Sequence, residues 1–129
     1  MINTQPESSF DKASLAANIA SEKKGSDITV LETTQVTSLS DFFVISSAES
    51  ATQVRAIADA ISDAFKQIGY APIGQERDNK GQWYLLDYGD IIIHIMHQET
   101  RSYYELETFW NHASVIPETR WDDIHKQAS

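Results

Sequence analysis

The sequence predicts an α/β sandwich built on a mixed sheet of about five strands with three main helices. Two apolar runs of strand length, residues 83–88 and 91–96, meet at Gly89 and Asp90, a pairing typical of a type II′ hairpin turn. Residues 54–68 carry apolar side chains at steps of three and four, which indicates an amphipathic helix. Helical and strand patterns are mixed along the chain, which favours a mixed sheet over a doubly wound parallel one.

The first third of the chain predicts one helix and two strands. Apolar residues at helical spacing cover about residues 10–24, and Gly25 supplies the C-terminal stop. Residues 27–33 are predicted to form the first strand. Residues 42–45 are an uninterrupted apolar run, which predicts a second strand buried on both faces.

The second helix begins with a capping box and is followed by a short edge strand. The Ser50 hydroxyl is expected to accept from the amide of Gln53, whose side chain reaches back to the cap. Residues 70–73 are predicted as an edge strand, because Pro72 cannot donate to an interior ladder. Residues 75–82 are predicted to be a charged loop that leads into the hairpin.

The two arms of the hairpin present different faces. Successive side chains of a strand point to opposite sides, so Trp83, Leu85 and Asp87 share one face of the first arm. We expect this face to be exposed, because an unpaired carboxylate in a sheet core costs several kcal/mol. If the face is buried, Asp87 must accept from donors such as the following turn amides. The second arm is apolar on both sides, which predicts that it is the central strand of the sheet. After the hairpin, a third helix is predicted over about residues 100–110.

Length and composition indicate one globular domain. The chain has 129 residues, of which 41% are apolar and 22% charged, and these are ordinary values for a domain. We expect a loose arm at residues 1–9, the domain at residues 10–113 and a tail at residues 114–129. The sequence contains no cysteine, which excludes disulfides, thiolate metal sites and a cysteine nucleophile.

The charge balance bears on partners and location. Acids outnumber bases by 19 to 10, the formal net charge is −9, and no cluster of bases is evident beyond Lys23 and Lys24. Such a chain repels free nucleic acid, so we expect a basic partner protein and no sequence-specific binding of nucleic acid. The N-terminus lacks a signal peptide, and no apolar run approaches the roughly 20 residues that span a bilayer. A cytoplasmic protein without a membrane partner is expected.

Patterns that indicate catalysis or metal binding are weak. His94 and His97 are three apart in a strand and face opposite ways, so they do not form a metal pair. Asp87 and Asp90 are also three apart, with a Gly turn between them, whereas paired Mg²⁺ ligands commonly stand two apart on one strand face. Residues 46–50 hold the position of a phosphate-binding loop but contain no Gly, which favours a helix cap. We therefore expect no enzyme, no catalytic residue, no cofactor and no metal.

Large aromatic residues are concentrated in the last third of the chain. A domain of this size is not expected to bury all of them, and exposed Tyr and Trp dominate interface hot spots. Glu99, Glu105 and Glu107 line the last predicted helix and would give such a patch an acidic rim. The sequence therefore predicts a protein-binding surface drawn from these aromatic residues: Trp83, Tyr84, Tyr88, Tyr103, Tyr104, Phe109 and Trp110.

Four motif blocks follow one another in a specific order along the chain. They are Asp41-Phe42-Phe43-Val44-Ile45, Val54-x-Ala56-Ile57-Ala58, Gly81-x-Trp83-x-Leu85-Leu86-Asp87-Tyr88-Gly89-Asp90 with His94 after it, and Arg101-x-x-Tyr104-x-Leu106-Glu107-x-x-Trp110. From the first helix to Ala113 the chain resembles the ribosomal silencing factors, also called RsfS or iojap-like proteins. Departures from the family pattern are Phe109, where Leu is common, and Asn111 and His112, which replace a frequent acidic pair.

The resemblance implies a nucleotidyltransferase-like fold without the catalytic carboxylates of that class, and a non-catalytic repressor of translation. Members of the family bind the large ribosomal subunit through ribosomal protein fourteen and obstruct docking of the small subunit, and some are homodimers. A nucleotide-binding protein or residual nucleotidyltransferase is the alternative hypothesis. The contact residues that the resemblance implies in this chain are Trp83, Leu85, Asp87, Tyr104, Leu106 and Trp110.

Overall fold

The computed structural model describes residues 8–104 and 113–122 and has one mixed six-stranded sheet. The strand order is β3-β4-β5-β2-β1-β6, in which β2 and β5 are parallel and the other neighbours antiparallel. This confirms the predicted α/β class, with six strands where about five were expected. The elements are α1 Ser9–Glu22, β1 Ser26–Glu32, β2 Phe42–Ala48, α2 Ala51–Gln67, β3 Gly74–Arg77, β4 Trp83–Asp87, β5 Ile91–His97, α3 Gln98–Tyr104, β6 Ser114–Ile116 and α4 Glu118–Trp121.

The hairpin of β4 and β5 has the predicted turn and position. Gly89 has a φ of +90°, as the first central residue of a type II′ turn requires, and the amide of Tyr88 donates to the carbonyl of Ile91 at 2.9 Å. Strand β5 pairs with β4 on one side and β2 on the other, so it lies inside the sheet. The prediction of a central strand from its two apolar faces is confirmed.

Helices α1 and α2 cover one face of the sheet. The apolar stripe of α2 is buried against that face, as its spacing of three and four predicts. Ser50 caps the helix by accepting from the amide of Gln53 at 3.1 Å, but the Gln53 side chain accepts from the amide of Glu49, one residue before the predicted partner. The buried stripe consists of Val54, Ile57, Ala58, Ile61 and Phe65.

Two element boundaries differ from the prediction because sheet pairing overrides local pattern. The edge strand is β3 and not residues 70–73; its polar side chains are tolerated because the outer edge of a sheet faces solvent. Strand β2 continues past residue 45, where a loop was expected, because Ser46 and Ser47 stay in register with Ile95 and Met96 of β5. Both serines are buried, and they are part of a strand instead of a loop or cap.

Residues 114–122, which were expected to belong to a tail, contact α1 and β1. Strand β6 pairs Ile116 with Val30, and the Trp121 side chain is 2% exposed. The Trp121 carbonyl accepts from Ser14 Oγ at 2.8 Å and from Asn18 Nδ2 at 2.6 Å. A three-residue strand next to Pro117 is too short for its period to be read from sequence. Of the predicted third helix, α3 is described, and residues 105–112 lie outside the described residues.

Candidate functional site

The candidate site lies on the sheet face opposite α1 and α2. Strand β4 alternates strictly: Tyr84 and Leu86 are buried in the core beneath the two helices, whereas Trp83, Leu85 and Asp87 on the other face are half-buried. Of the two faces of β4, the partly exposed one is therefore the one that carries Asp87, as the cost of burying a carboxylate predicts. We call the row Trp83, Leu85 and Asp87 the β4 surface.

A small apolar cluster lies beside the β4 surface. Trp83 and Ile92 are partly buried and pack against it, so one side of the Trp83 ring contacts a fixed apolar layer. A large ring held in this way loses little rotamer freedom when a partner binds, which favours a hot-spot role. The cluster consists of Leu31, Phe43, Ile45 and Met96.

His94 holds the indole of Trp83. Trp83 Nε1 donates to His94 Nδ1 at 3.1 Å, and the ring of Phe43 lies 5.2 Å from the imidazole. His94 is buried, and burial lowers its pKa from 6.5 to about 4. The imidazole is therefore neutral at pH 7 and can accept the indole proton. Sequence analysis placed His94 in a strand and away from any metal, but did not identify Trp83 as its partner.

The two aspartates of the hairpin serve separate structural roles. Asp87 Oδ1 accepts from the amide of Gly89 at 2.8 Å and so closes the turn. Asp90 Oδ2 accepts from Lys12 Nζ at 2.8 Å and from Ser9 Oγ at 3.0 Å, which ties the turn to α1. Partial burial raises the pKa of Asp90, but the hydrogen bonds from Lys12 and Ser9 outweigh this and the pKa is lowered.

The described histidines and acids do not converge on one point. His97 Nδ1 accepts from the amide of Glu99 at 3.2 Å, on the strand end beyond His94. Across residues 8–104 and 113–122, no three His, Asp or Glu side chains form a group that could hold a metal ion. The same part of the chain contains no helix with the length and hydropathy needed to cross a membrane.

The remaining predicted contact residues belong to α3 and the segment after it. Tyr104 is the last residue of α3, and only its backbone is described. Leu106 and Trp110 lie outside the described residues, so their part in the site remains a prediction. Among the other late aromatics, Tyr84 and Tyr88 are buried core residues and are not available to a partner.

Helix α3 is anchored to the sheet by Arg101. This buried side chain donates through Nη1 to the Asp27 carbonyl and, at 3.0 Å, to Ser47 Oγ, and through Nη2 to Thr29 Oγ1 at 3.0 Å. These contacts fix the helix to β1 and β2, on the same sheet face as the β4 surface. They therefore also fix the position of the Tyr104 backbone, three residues further along α3, relative to the sheet.

Replacement of Arg101 with methionine is expected to lower the free energy of unfolding by about 2 kcal/mol, because the buried Ser47 Oγ and two partly buried hydrogen bonds lose their charged donor. Urea unfolding measures this loss, and amide hydrogen exchange in α3 should become faster. Arg55→Met is the matched control, since Arg55 is exposed on α2 and the same change there should stay within about 0.5 kcal/mol. Equal losses in the two variants would show that Arg101 does not anchor the helix.

A group of bases that sequence analysis missed lies next to the β4 surface. Arg55 of α2, Arg77 at the end of β3 and Lys80 in the loop after it line one cleft of about 490 Å³. The expectation that the bases form no cluster is therefore wrong for these three. They come from separate segments, and only the packing of the β3–β4 loop beside α2 brings them together.

The fold and the β4 surface define an α/β protein whose candidate site is an open, partly apolar sheet face flanked by a basic cleft. A family model described as "Ribosomal silencing factor during starvation" matches residues 6–129. The chain belongs to this family, which confirms the resemblance predicted from sequence and indicates a ribosome-associated regulatory role.

Individual relatives agree with this assignment. The protein named "Ribosomal silencing factor RsfS" of Chromobacterium violaceum is 34% identical over 96 residues, covering 74% of this chain and 79% of that protein. The protein of the same name from Bacillus subtilis is 34% identical over 101 residues, covering 78% and 86%. A crystal structure of a Chromobacterium violaceum protein superposes with a TM-score of 0.75 at 33% identity, covering 78% of this chain and 84% of that one.

Proposed function

We propose that this protein is a non-catalytic repressor of translation that binds the large ribosomal subunit through ribosomal protein fourteen. The bound factor obstructs docking of the small subunit, so that complete ribosomes do not assemble. Its site of action is the cytoplasm, where ribosomes work. Membership of the silencing-factor family carries the proposal, because that family is defined by an effect on ribosomes.

The β4 surface supplies the contact that this function needs. Trp83 and Leu85 offer apolar area on a sheet face, and the neighbouring apolar cluster and His94 support the Trp83 ring from beneath. A Trp that is held on one side and partly exposed beside a Leu is the kind of anchor that dominates protein interfaces. Asp87 adds a carboxylate at the far end of the row, where a basic partner can approach it. Tyr104, Leu106 and Trp110 extend the proposed surface along the chain.

The charge of the chain favours a protein partner with basic side chains. At a net charge of −9, the factor is attracted to a basic ribosomal protein and repelled by most of the surrounding RNA. Attraction at one contact and repulsion elsewhere restricts the number of sites at which the factor can dock. The charge thus contributes to specificity and to the rate of association more than to affinity.

Two measurements with isolated components test the proposal. The factor is expected to co-sediment with large subunits and not with small ones, and prior addition to large subunits should reduce their joining to small subunits on a sucrose gradient. The isolated ribosomal protein fourteen should bind the factor directly. A factor that binds large subunits but leaves subunit joining unchanged would contradict the steric mechanism.

The alternative of nucleotide binding is tested in parallel. Titration with nucleoside triphosphates and Mg²⁺ should produce no change in the intrinsic fluorescence or in the melting temperature of the factor. A saturable, Mg²⁺-dependent shift would favour the alternative.

A homodimer formed through the β4 surface would compete with the ribosomal partner for that surface. Sedimentation of the factor alone over a range of concentrations shows whether such a homodimer forms.

A further inference from the structure

The cleft next to the β4 surface concentrates positive charge in an otherwise acidic protein. Arg55, Arg77 and Lys80 line it, and Asp78 is the one acid among its described lining residues. Three bases against one acid give the cleft a surplus of positive charge, whereas the chain as a whole carries −9. We call these three bases and their cleft the basic cleft.

The acids near the basic cleft neutralise it only in part. Asp78 Oδ1 accepts from the amides of Gln82 and Trp83 at 2.6 and 3.2 Å, which holds this oxygen in the loop, while the charge of the carboxylate still offsets one of the three bases. Asp59 lies 3.6 Å from Arg55, but both side chains are more than half exposed, and such pairs are weak. Arg55 therefore remains available to an anion of higher charge density.

Two further features favour an anionic ligand in the cleft. Arg77 Nη1 donates to Tyr84 Oη at 3.2 Å, which holds one guanidinium in place while its other donors stay on the surface. The first turn of α2, at Ala51 and Thr52, forms the opposite wall, and its backbone amides add a partial positive charge. Gly81, with a φ of +68°, allows the loop to pass close to that turn.

The basic cleft lies on the α2 side of the sheet and the β4 surface on the other side, and the β3–β4 loop borders both. Lys80 and Asn79 line the cleft and also line a neighbouring depression that Trp83 borders. A partner protein docked on Trp83 therefore brings whatever surrounds it within reach of Lys80. In a ribosomal subunit, the surroundings of a protein are RNA phosphates, and Arg and Lys bind these without reading base sequence.

We propose that the basic cleft binds the phosphodiester backbone of ribosomal RNA beside the protein that the β4 surface contacts. This inference rests on the proposed function. The Tyr84 ring is buried, so among the described lining residues no aromatic face is offered to a base, and the contact is to phosphate. The cleft orients the factor, because it presents a surplus of positive charge to RNA on a chain whose net charge is −9.

The test compares two targets and two variants of equal charge. The cleft variant is Arg55→Gln, Arg77→Gln and Lys80→Gln; the control variant is Lys23→Gln, Lys24→Gln and Lys66→Gln, at exposed positions outside the cleft lining. The targets are whole large subunits and isolated ribosomal protein fourteen. We expect the cleft variant to bind large subunits about tenfold more weakly near 0.1 M salt and to flatten the slope of log K against log salt by about 2. Its binding to the isolated protein should match that of the unmodified chain.

Three other results would overturn the inference alone, and a fourth would overturn the proposed function as well. Equal weakening of the cleft and control variants would attribute the effect to net charge, and equal weakening against isolated protein fourteen would make the cleft a protein contact; either result overturns the inference. A cleft variant that binds large subunits as tightly as the unmodified chain also overturns it, and leaves the proposed function intact. If the unmodified chain binds neither target, the proposed function fails first and the inference with it.

Discussion

Replacement of Trp83 with alanine is expected to weaken binding to large subunits about 100-fold, equivalent to about 2.8 kcal/mol, which lies within the range of hot-spot truncations at interfaces. The loss of stability should be smaller, about 1–2 kcal/mol, since the ring is only half-buried and its removal leaves the His94 acceptor without the indole. Binding is measured by co-sedimentation over a range of factor concentrations, and stability by urea unfolding. The two quantities separate an interface Trp from a core Trp.

Two companion variants define what the Trp83 result means. Leu39→Ala truncates an apolar side chain that is 79% exposed outside the β4 surface and should leave both binding and stability nearly unchanged. Trp83→Phe keeps a ring against the apolar cluster but loses the Nε1 donor, so an intermediate loss of binding is expected. If Trp83→Ala lowers stability as much as binding, Trp83 is a core residue and the β4 surface is not the contact.

The strongly periodic parts of the fold could be predicted from sequence. The hairpin followed from Gly89 between two apolar runs, and α2 followed from its stripe and the Ser50 cap, because each pattern is local and is reinforced by packing on one face. Strand β3 and strand β6 could not be predicted in the same way. Their residues are polar or few, and they become strands only because a neighbouring strand supplies a ladder.

The candidate site could also be predicted from sequence only in part. The choice of face on β4 could be argued from the sequence, since Asp87 alternates with the buried Leu86. The contact between Trp83 and His94 joins cross-strand diagonal positions, and their pairing depends on the register of the hairpin. The basic cleft could not be predicted from sequence, because its bases come from α2, β3 and a loop that carry no common sequence signal.

Acidification is expected to destabilise this protein through His94. Its pKa is about 4 in the folded chain and about 6.5 when the chain is unfolded, because burial disfavours the charged imidazolium. Between these two values the unfolded chain binds a proton that the folded chain does not, so the free energy of unfolding falls as pH falls. From pH 7.5 to pH 4.5 the loss attributable to His94 should be about 2 to 3 kcal/mol, measured by urea unfolding at each pH.

The matched variants His94→Asn and His94→Leu distinguish the proton from the hydrogen bond. Asparagine places an oxygen near the position of Nδ1, so it can still accept from Trp83 Nε1, but it does not titrate. The free energy of unfolding of His94→Asn should therefore not show the fall attributed to His94 between pH 7.5 and 4.5. This variant should still bind large subunits well. Leucine also removes that fall, but it leaves the indole donor without its acceptor, so binding should weaken through a less fixed Trp83 ring. A wild-type pH dependence that persists in both variants would show that another group titrates, and equal binding by both would show that His94 does not position Trp83.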